Sequence, residues 1–204
     1  MGYWGQKDTT ITFCEVPYKD SIYIAEYYNS ISGLFYSLVG LYFLNTKLKN
    51  ISYTLLILGL GTFTLHATQR WYGQWLDELS MLLLSFQSIK HLRNINHKKT
   101  YNSIFLFMTI LYVLWHAKTF IIMFISSQIY IFDLLTKLKP KKNFKLTSYV
   151  YRLLYKYIFI ISIISWILDQ YFCKHFKSMY LHAIWHIGTA IVAFLGFNNL
   201  LICK

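Results

Sequence analysis

The sequence predicts an all-α protein: a bundle of seven transmembrane helices that forms one domain over residues 1–204. Its composition is the first reason, since 56% of the 204 residues are hydrophobic and 20% are aromatic, unlike an ordinary soluble domain. Its two prolines are the second, since Pro17 and Pro140 both lie in predicted loops. Backbone polar groups in lipid must be satisfied within their own segment, so the long apolar runs indicate helices. No long linker or repeat separates these runs, which indicates a single domain.

Seven apolar segments have about the 17–25 residues that a bilayer core requires, the third and fourth being slightly short. In chain order they are Ile22–Leu44, Ile51–Thr68, Gln74–Ile89, Tyr101–His116, Thr119–Leu135, Tyr149–Asp169 and Tyr180–Ile202. The first twenty residues are polar and contain no apolar core of a cleavable signal peptide. The first segment must therefore act as its own insertion signal.

The distribution of charge predicts the orientation of this bundle. The formal net charge is +12, and the side of the membrane that holds the N-terminus carries six of the twenty basic residues. The other fourteen lie on the opposite side, with clusters at Lys90–Lys99 and Lys137–Lys145. The positive-inside rule then places the C-terminus in the cytosol and the N-terminus in a lumen or outside the cell. The basic charge is thus explained without a nucleic-acid partner, and the lysines at most also contact anionic lipid headgroups.

Polar residues that lie at or near the ends of five predicted helices converge on the N-terminal face of the membrane. In order of the segments they are Glu26, then Thr62 and His66, then Asp77 and Glu78, then Asp169, and finally His182 and His186. Polar and ionisable side chains are costly in a membrane and mark functional sites by default. The sequence therefore predicts one functional site at this face.

Three of these residues, His66, His182 and His186, form a candidate metal site. The four-residue spacing of His182 and His186 puts both rings on one face of a helix, as two ligands of one ion require. Three histidines with an open fourth position describe a catalytic zinc site. Other metals also accept imidazole ligands, so zinc is the favoured metal among several.

Thr62 and Asp77 are the candidate catalytic residues beside this metal site. Thr62 precedes His66 by four residues and shares its helical face, so its hydroxyl is placed to donate to an oxyanion. Asp77 is placed to take a proton from the attacking water. The alternative is that Asp77 orients one of the histidines, because carboxylate–imidazole pairs are common in metal sites.

Two cysteines, Cys14 and Cys173, lie on the same predicted lumenal side. An oxidising lumen permits a disulfide between them, and two free buried thiols are the alternative. Cys203 lies near the opposite face and is expected to stay free.

Several blocks of sequence carry a resemblance to a known family. They are Gly2–Gly5, Phe13–Glu15, Tyr23–Ser30, Gly61–His66, Gln74–Leu79, Trp166–Cys173 and His182–His186. In order and spacing these blocks resemble the alkaline ceramidases across nearly the whole chain, while the loops between the third and sixth spans match poorly.

The resemblance implies an integral membrane amidase of the endoplasmic reticulum or Golgi, which hydrolyses the N-acyl bond of ceramide to a sphingoid base and a fatty acid. By this resemblance His66, His182 and His186 bind Zn²⁺, Asp77 handles protons, and Thr62 stands where the family has its oxyanion-assisting serine. It also implies a Cys14–Cys173 disulfide and a Ca²⁺ site made from the carbonyl of Phe13 and the carboxylates of Glu15 and Glu26.

Three positions depart from the family pattern. Thr62 keeps the hydroxyl of serine but adds a methyl group and a stiffer χ1. Thr12 and Pro17 replace an aspartate and an asparagine ligand of the calcium site. Because calcium affinity depends on the number and charge of the ligands, we expect Ca²⁺ to bind weakly or not at all.

Two other functions remain open at this stage. One is a seven-helix zinc-containing receptor of the adiponectin-receptor type. The other is a lipid-binding relative that keeps zinc but has lost turnover, which the changes at Thr62 and in the calcium site would explain. In each case the partners are membrane lipids, and neither the acyl-chain preference nor the oligomeric state follows from the sequence.

Overall fold

The computed structural model describes residues 2–93, 98–176 and 179–203, so residues 94–97 of the Lys90–Lys99 cluster lie outside the described part. In these ranges the regular structure is helical, apart from one isolated bridge between Gly2 and Gly5. The long helices are α1 (Tyr27–Phe43), α2 (Lys49–Thr68), α3 (Trp71–Arg93), α4 (Lys98–Lys137), α5 (Lys145–Tyr171) and α7 (Leu181–Cys203). A 3₁₀ turn at Lys142–Phe144 and the short α6 (Cys173–Phe176) connect them. The predicted all-α class is confirmed.

Four segments of the described residues are long and apolar enough to cross a membrane. They are Lys49–Thr68, Thr119–Lys137, Lys142–Tyr171 and Leu181–Cys203, and a shorter apolar stretch covers Phe105–Leu114. These segments support a membrane protein.

The start of α1 and the continuity of α4 differ from the sequence prediction. The first helix begins at Tyr27 instead of Ile22, because the Glu15 carboxylate accepts hydrogen bonds from the first backbone N–H groups of α1 and fixes its start there. The predicted fourth and fifth spans lie in one continuous helix, α4. Between them the chain reads His116-Ala117-Lys118, which contains no glycine or proline to end a helix and includes two good helix formers.

Helices α1, α2 and α3 approach each other closely around the middle of α2. A Cβ added at Gly61 would lie 2.9 Å from the backbone nitrogen of Asp77 on α3. One added at Gly33 on α1 would lie 2.7 Å from Cγ2 of Thr62. Small residues at such contacts allow helix backbones to pack tightly. The result is that Thr62 lies between α1 and α3, next to Asp77.

The segment before α1 folds over the same end of the bundle and is anchored at several points. Asp8 pairs with Arg70 at 3.0 Å and accepts a hydrogen bond from the backbone N–H of Trp71. A disulfide joins Cys14 to Cys173, which confirms the first of the two alternatives for these cysteines. The segment is thereby tied to the start of α3 and to the start of α6.

Candidate metal centre

The three histidines singled out in the sequence come together in the structure. His66 lies in the last turn of α2, and His182 and His186 lie in the first turns of α7. One ring nitrogen of each lies within 4.8 Å of the others, and all three side chains are buried. The positions are close enough for one ion to contact all three rings.

Glu26 sets the orientation of the His66 ring. Its carboxylate lies 2.5 Å from Nδ1 of His66. A carboxylate accepts hydrogen bonds, so Nδ1 carries the proton and Nε2 presents its lone pair. Nε2 is buried and has no hydrogen-bond partner among the described residues. A buried ring nitrogen without a hydrogen-bond partner is expected of a histidine that binds a metal ion.

Contacts with α1 hold the His186 ring in the same tautomer as the His66 ring. Its Nδ1 lies 2.9 Å from Oγ of Ser32 and 3.1 Å from the backbone oxygen of Asn29. A carbonyl oxygen only accepts, so Nδ1 is again the protonated nitrogen and Nε2 carries the free lone pair. Such partners fix the tautomer of metal-binding histidines.

The carboxylate nearest to His182 lies further from its ring than the partners of His66 and His186 do from theirs. Its Nδ1 lies 3.6 Å from Oδ2 of Asp169, beyond hydrogen-bonding distance, and has no hydrogen-bond partner in the described ranges. Two of the three rings are thus tightly oriented, and the third has a buried carboxylate beside it. This donor set fits a divalent metal ion held by three neutral imidazoles.

Asp77 and Thr62 form the second part of the site. The Thr62 hydroxyl contacts Oδ1 of Asp77 and also lies 2.9 Å from the backbone oxygen of Leu58. A hydroxyl has one proton to donate, so it cannot serve both acceptors while Asp77 is ionised. When Asp77 holds a proton, Asp77 donates to Thr62 and Thr62 donates to Leu58. The geometry therefore accommodates both protonation states of Asp77.

A cavity of about 330 Å³ opens onto these residues. Its polar lining includes Thr62, Asp77, Glu78, His182 and His186, and most of the remaining wall is made of apolar side chains of α4, α5 and α7. A smaller chamber of about 90 Å³ lies beside it and shares part of its wall, including Met81, Phe124 and Trp185.

The ring of Phe13 covers the histidines from the N-terminal segment. Its centroid lies 4.5 Å from that of His66 and 4.1 Å from that of His182. The disulfide at the next residue, Cys14, holds this part of the chain in place. Phe13 also lines the cavity and so forms part of its roof.

The structure gives Glu15 and Glu26 partners within the protein. Both oxygens of Glu15 accept backbone N–H groups of α1, at 2.8 Å each. Glu26 contacts His66 and accepts hydrogen bonds from Gln69 and Asn29. The residues named for the calcium site thus lie next to the histidine cluster, with their carboxylates already engaged.

Two residues of α1 that support His186, Asn29 and Ser32, were not among the predicted site residues. A signal was present, because Glu26, Asn29 and Ser32 follow one another at intervals of three and share one face of a helix that is otherwise rich in apolar residues. Their partner, His186, lies more than 150 residues further along the chain. That His186 is their partner could be recognised only from the three-dimensional structure.

Comparisons with a family model and with individual known proteins all match this chain to the same family. The family model described as Ceramidase matches residues 5–204. The chain is 26% identical to the putative alkaline ceramidase dcd3A of Dictyostelium discoideum, covering 100% of this chain and 89% of that protein. It is 23% identical to alkaline ceramidase 3 of Mus musculus, covering 95% and 83%. It is 26% identical to alkaline ceramidase YPC1 of Saccharomyces cerevisiae, covering 93% and 75%.

Proposed function

This chain belongs to the ceramidase family, and we propose that it hydrolyses the N-acyl bond of ceramide to a sphingoid base and a free fatty acid. The observation that carries this proposal is that His182 and His186, which cluster with His66, line the same largely apolar cavity as the Asp77–Thr62 pair. A water-soluble substrate would not need such a cavity, whereas a lipid amide has a polar bond flanked by long apolar chains.

The three histidines are the proposed ligands of a zinc ion. Zinc bound by three histidines polarises a carbonyl group and lowers the pKa of a water molecule to about 7. Glu26 on His66, and Ser32 with Asn29 on His186, hold the rings in the tautomer that such binding requires.

Asp77 and Thr62 are the proposed catalytic residues. Asp77 accepts a proton from the attacking water and returns it to the amine nitrogen as the bond between carbonyl carbon and nitrogen breaks. Once Asp77 is protonated, the Thr62 hydroxyl no longer donates to that carboxylate, and it turns from Leu58 to donate a hydrogen bond to the carbonyl oxygen as negative charge develops there. The hydrogen bond between Thr62 and Asp77 supports this pairing, because it places both groups at one point of the cavity wall.

The cavity suggests how a membrane lipid reaches the site. Residues of both α4 and α5 line its wall, yet α4 packs mainly on α3 and α5 mainly on α7. Three side chains of α4 that line the cavity are also exposed, namely Ile121, Ile125 and Ile129. We infer that substrate enters sideways from the lipid between α4 and α5.

The membrane arrangement that fits this function is a seven-span bundle with the N-terminus in the lumen of the endoplasmic reticulum or Golgi and the C-terminus in the cytosol. It requires the fourth and fifth spans to separate at a turn within residues 98–137, which form the single helix α4 in the structure. The Cys14–Cys173 disulfide supports a lumenal position for the metal centre, because disulfides persist in oxidising compartments.

Product formation tests the proposal. The purified protein, loaded with zinc in detergent or in vesicles, is given a long-chain ceramide, and free sphingoid base is measured. We expect turnover by the unaltered chain, loss of bound zinc and of turnover in His182→Ala, and neither loss in His175→Ala, which alters an exposed histidine outside the cluster. Unchanged turnover in His182→Ala would exclude the metal role, and absence of product from the zinc-loaded unaltered chain would exclude the hydrolase.

A further inference from the structure

Arg152 lies inside an apolar part of α5. The segment Lys142–Tyr171 is long and apolar enough to cross a membrane, and the side chains of Leu153 and Leu154, which follow the arginine, are exposed. Arg152 lies near the first residue of α5 and therefore at the end of the bundle opposite the metal centre. An ionisable residue in such a segment is costly and marks a functional site by default.

The Arg152 guanidinium is held in place by α4 and by its own helix. Its Nη1 donates a hydrogen bond to the backbone oxygen of Thr136, in the last turn of α4, at 2.9 Å. Its Nε and Nη2 both donate to Oγ of Ser148, at 3.2 and 2.8 Å. A guanidinium carries five N–H groups in a planar fork, and these contacts use three of them. One N–H on each terminal nitrogen thus has no acceptor in the described part of the chain.

The positive charge of Arg152 has no carboxylate partner among the ion pairs of the described residues. Thr136 and Ser148 are neutral acceptors. Asp133, one turn before Thr136 on α4, is paired with Lys137 at 2.6 Å. A phosphate group would supply the missing charge, because arginine and phosphate form two parallel hydrogen bonds through the fork of the guanidinium.

A second donor without a partner lies beside the same serine. Ser148 donates its hydroxyl proton to Oδ1 of Asn199 on α7 at 2.7 Å, while Nδ2 of Asn199 is buried and has no hydrogen-bond partner in the described ranges. Asn199 and Arg152 both line a small cavity of about 10 Å³ between α4, α5 and α7, which is about the space that one oxygen atom of a ligand or water needs. Because a buried donor without a partner is costly, both side chains favour a ligand with acceptor oxygens.

The surface around this cavity attracts anions. Five lysines lie within residues 137–145, which lead from α4 to α5, and Asp133 is the nearest acid to this stretch. Clusters of lysine attract anionic lipids, and basic pockets between membrane helices bind their headgroups. The expected ligand is therefore a lipid whose phosphate charge is not balanced within its own headgroup.

We propose that Arg152 and Asn199 bind the phosphate group of an anionic membrane lipid at the end of the bundle opposite the histidines. The guanidinium donates its two remaining N–H groups to phosphate oxygens, and Nδ2 of Asn199 donates to an oxygen that enters the small cavity. Because Arg152 is also bonded to Thr136, the bound lipid stabilises the contact between α4 and α5. This inference does not depend on the proposed hydrolase activity.

Thermal unfolding of the full chain in lipid discs tests the proposal. The midpoint is measured in discs of phosphatidylcholine and in discs that also contain phosphatidylglycerol, whose phosphate charge is not balanced by a choline group. The unaltered chain is compared with Arg152→Gln and Arg152→Lys. Lys47→Gln is the matched control, because Lys47 is an exposed lysine in the loop between α1 and α2, at the same end of the bundle. The quantity compared is the shift between the two kinds of disc, so a change in the basal stability of a variant cancels.

We expect phosphatidylglycerol to raise the midpoint of the unaltered chain and of Lys47→Gln by about 2–4 °C, as for a ligand present at several times its dissociation constant. Both Arg152 variants are expected to lose most of this rise, because glutamine removes the charge and the lysine ammonium cannot form the two parallel hydrogen bonds.

Four results would each overturn the proposal. The first three are no rise in the unaltered chain, a full rise in either Arg152 variant, and an equal loss of the rise in Lys47→Gln. The fourth is an equal rise when inorganic phosphate is added to discs of phosphatidylcholine, because the ligand would then be a soluble anion and not a lipid.

Discussion

Glu26 and His66 meet between the start of α1 and the end of α2, with the carboxylate 2.5 Å from Nδ1 of the imidazole. The resemblance implies that Glu26 binds calcium, whereas the structure pairs it with a candidate zinc ligand. A carboxylate hydrogen-bonded to a metal-binding histidine fixes its tautomer and increases its basicity. Removing the charge of Glu26 is therefore expected to lower the affinity of the histidines for a metal ion.

Replacing Glu26 by glutamine is expected to weaken zinc binding about 10- to 100-fold. The amide oxygen of the glutamine side chain still accepts the Nδ1 hydrogen bond, so the ring keeps its orientation but loses the negative charge behind it. Zinc affinity is measured by competition with a chromophoric chelator. Asp20→Asn serves as the control, because Asp20 is an exposed acid of the same segment, and equal affinities for the two variants would contradict the role of Glu26.

The hydroxyl of Thr62 is expected to matter more than its methyl group. Thr62→Val keeps the shape and removes the donor, and we expect kcat to fall about 10²–10³-fold, as when one donor to an oxyanion is lost. Thr62→Ser keeps the hydroxyl and is expected to retain turnover. Ceramide hydrolysis is measured at saturating substrate. A valine variant that is as active as the serine variant would remove Thr62 from the mechanism.

The methyl group of Thr62 has a structural partner in Gly33. A Cβ at position 33 would lie 2.7 Å from Cγ2 of Thr62, so Gly33→Ala is expected to destabilise the protein by about 1–3 kcal/mol. Adding Thr62→Ser removes the methyl group and is expected to recover only part of the loss, because the Cβ of residue 62, which serine keeps, lies 2.8 Å from the same position. The double-mutant cycle is measured by thermal unfolding. Additive effects of the two changes would show that the contact is not tight.

The convergence of the site was predictable from the sequence because it depends on helix geometry. The spacing of His182 and His186, and the alternation of spans across a membrane, place the three histidines with Thr62 and Asp77 at one face. The partners of the histidines were not predictable in this way. The contact of Ser32 with His186 depends on how α1 packs against α7, and packing angles do not follow from residue spacing.

The start of α1 and the continuity of α4 escaped the sequence prediction for different reasons. Apolar residues from Ile22 onward satisfy the composition of a span, but the N–H groups of Tyr28 and Asn29 are bonded to Glu15, which lies 13 and 14 residues earlier in the chain. Hydropathy does not register such a contact. In α4, the polar residues between two apolar runs suggest a loop, although Ala117 and Lys118 favour a helix.

The smaller chamber is expected to limit the length of the hydrocarbon chain that the site accepts. It lies beyond the wall shared by Met81, Phe124 and Trp185, and Ala193 lines it without touching the larger cavity. Ala193 follows His186 by seven residues on α7, a rise of about 10 Å along the helix. A chain that extends from the histidines into this chamber would pass Ala193.

Ala193→Phe fills the chamber and is therefore expected to lower kcat/KM for long-chain ceramides more than tenfold, since each methylene that loses its apolar contact costs about 0.8 kcal/mol, or about fourfold. Short-chain ceramides should be hydrolysed as before, because their chains end in the larger cavity. Turnover is compared across a series of acyl lengths. Ile191→Phe is the matched control, because Ile191 lies on the exposed side of the same helix, and an equal loss for short and long chains in Ala193→Phe would show that the chamber does not hold the substrate.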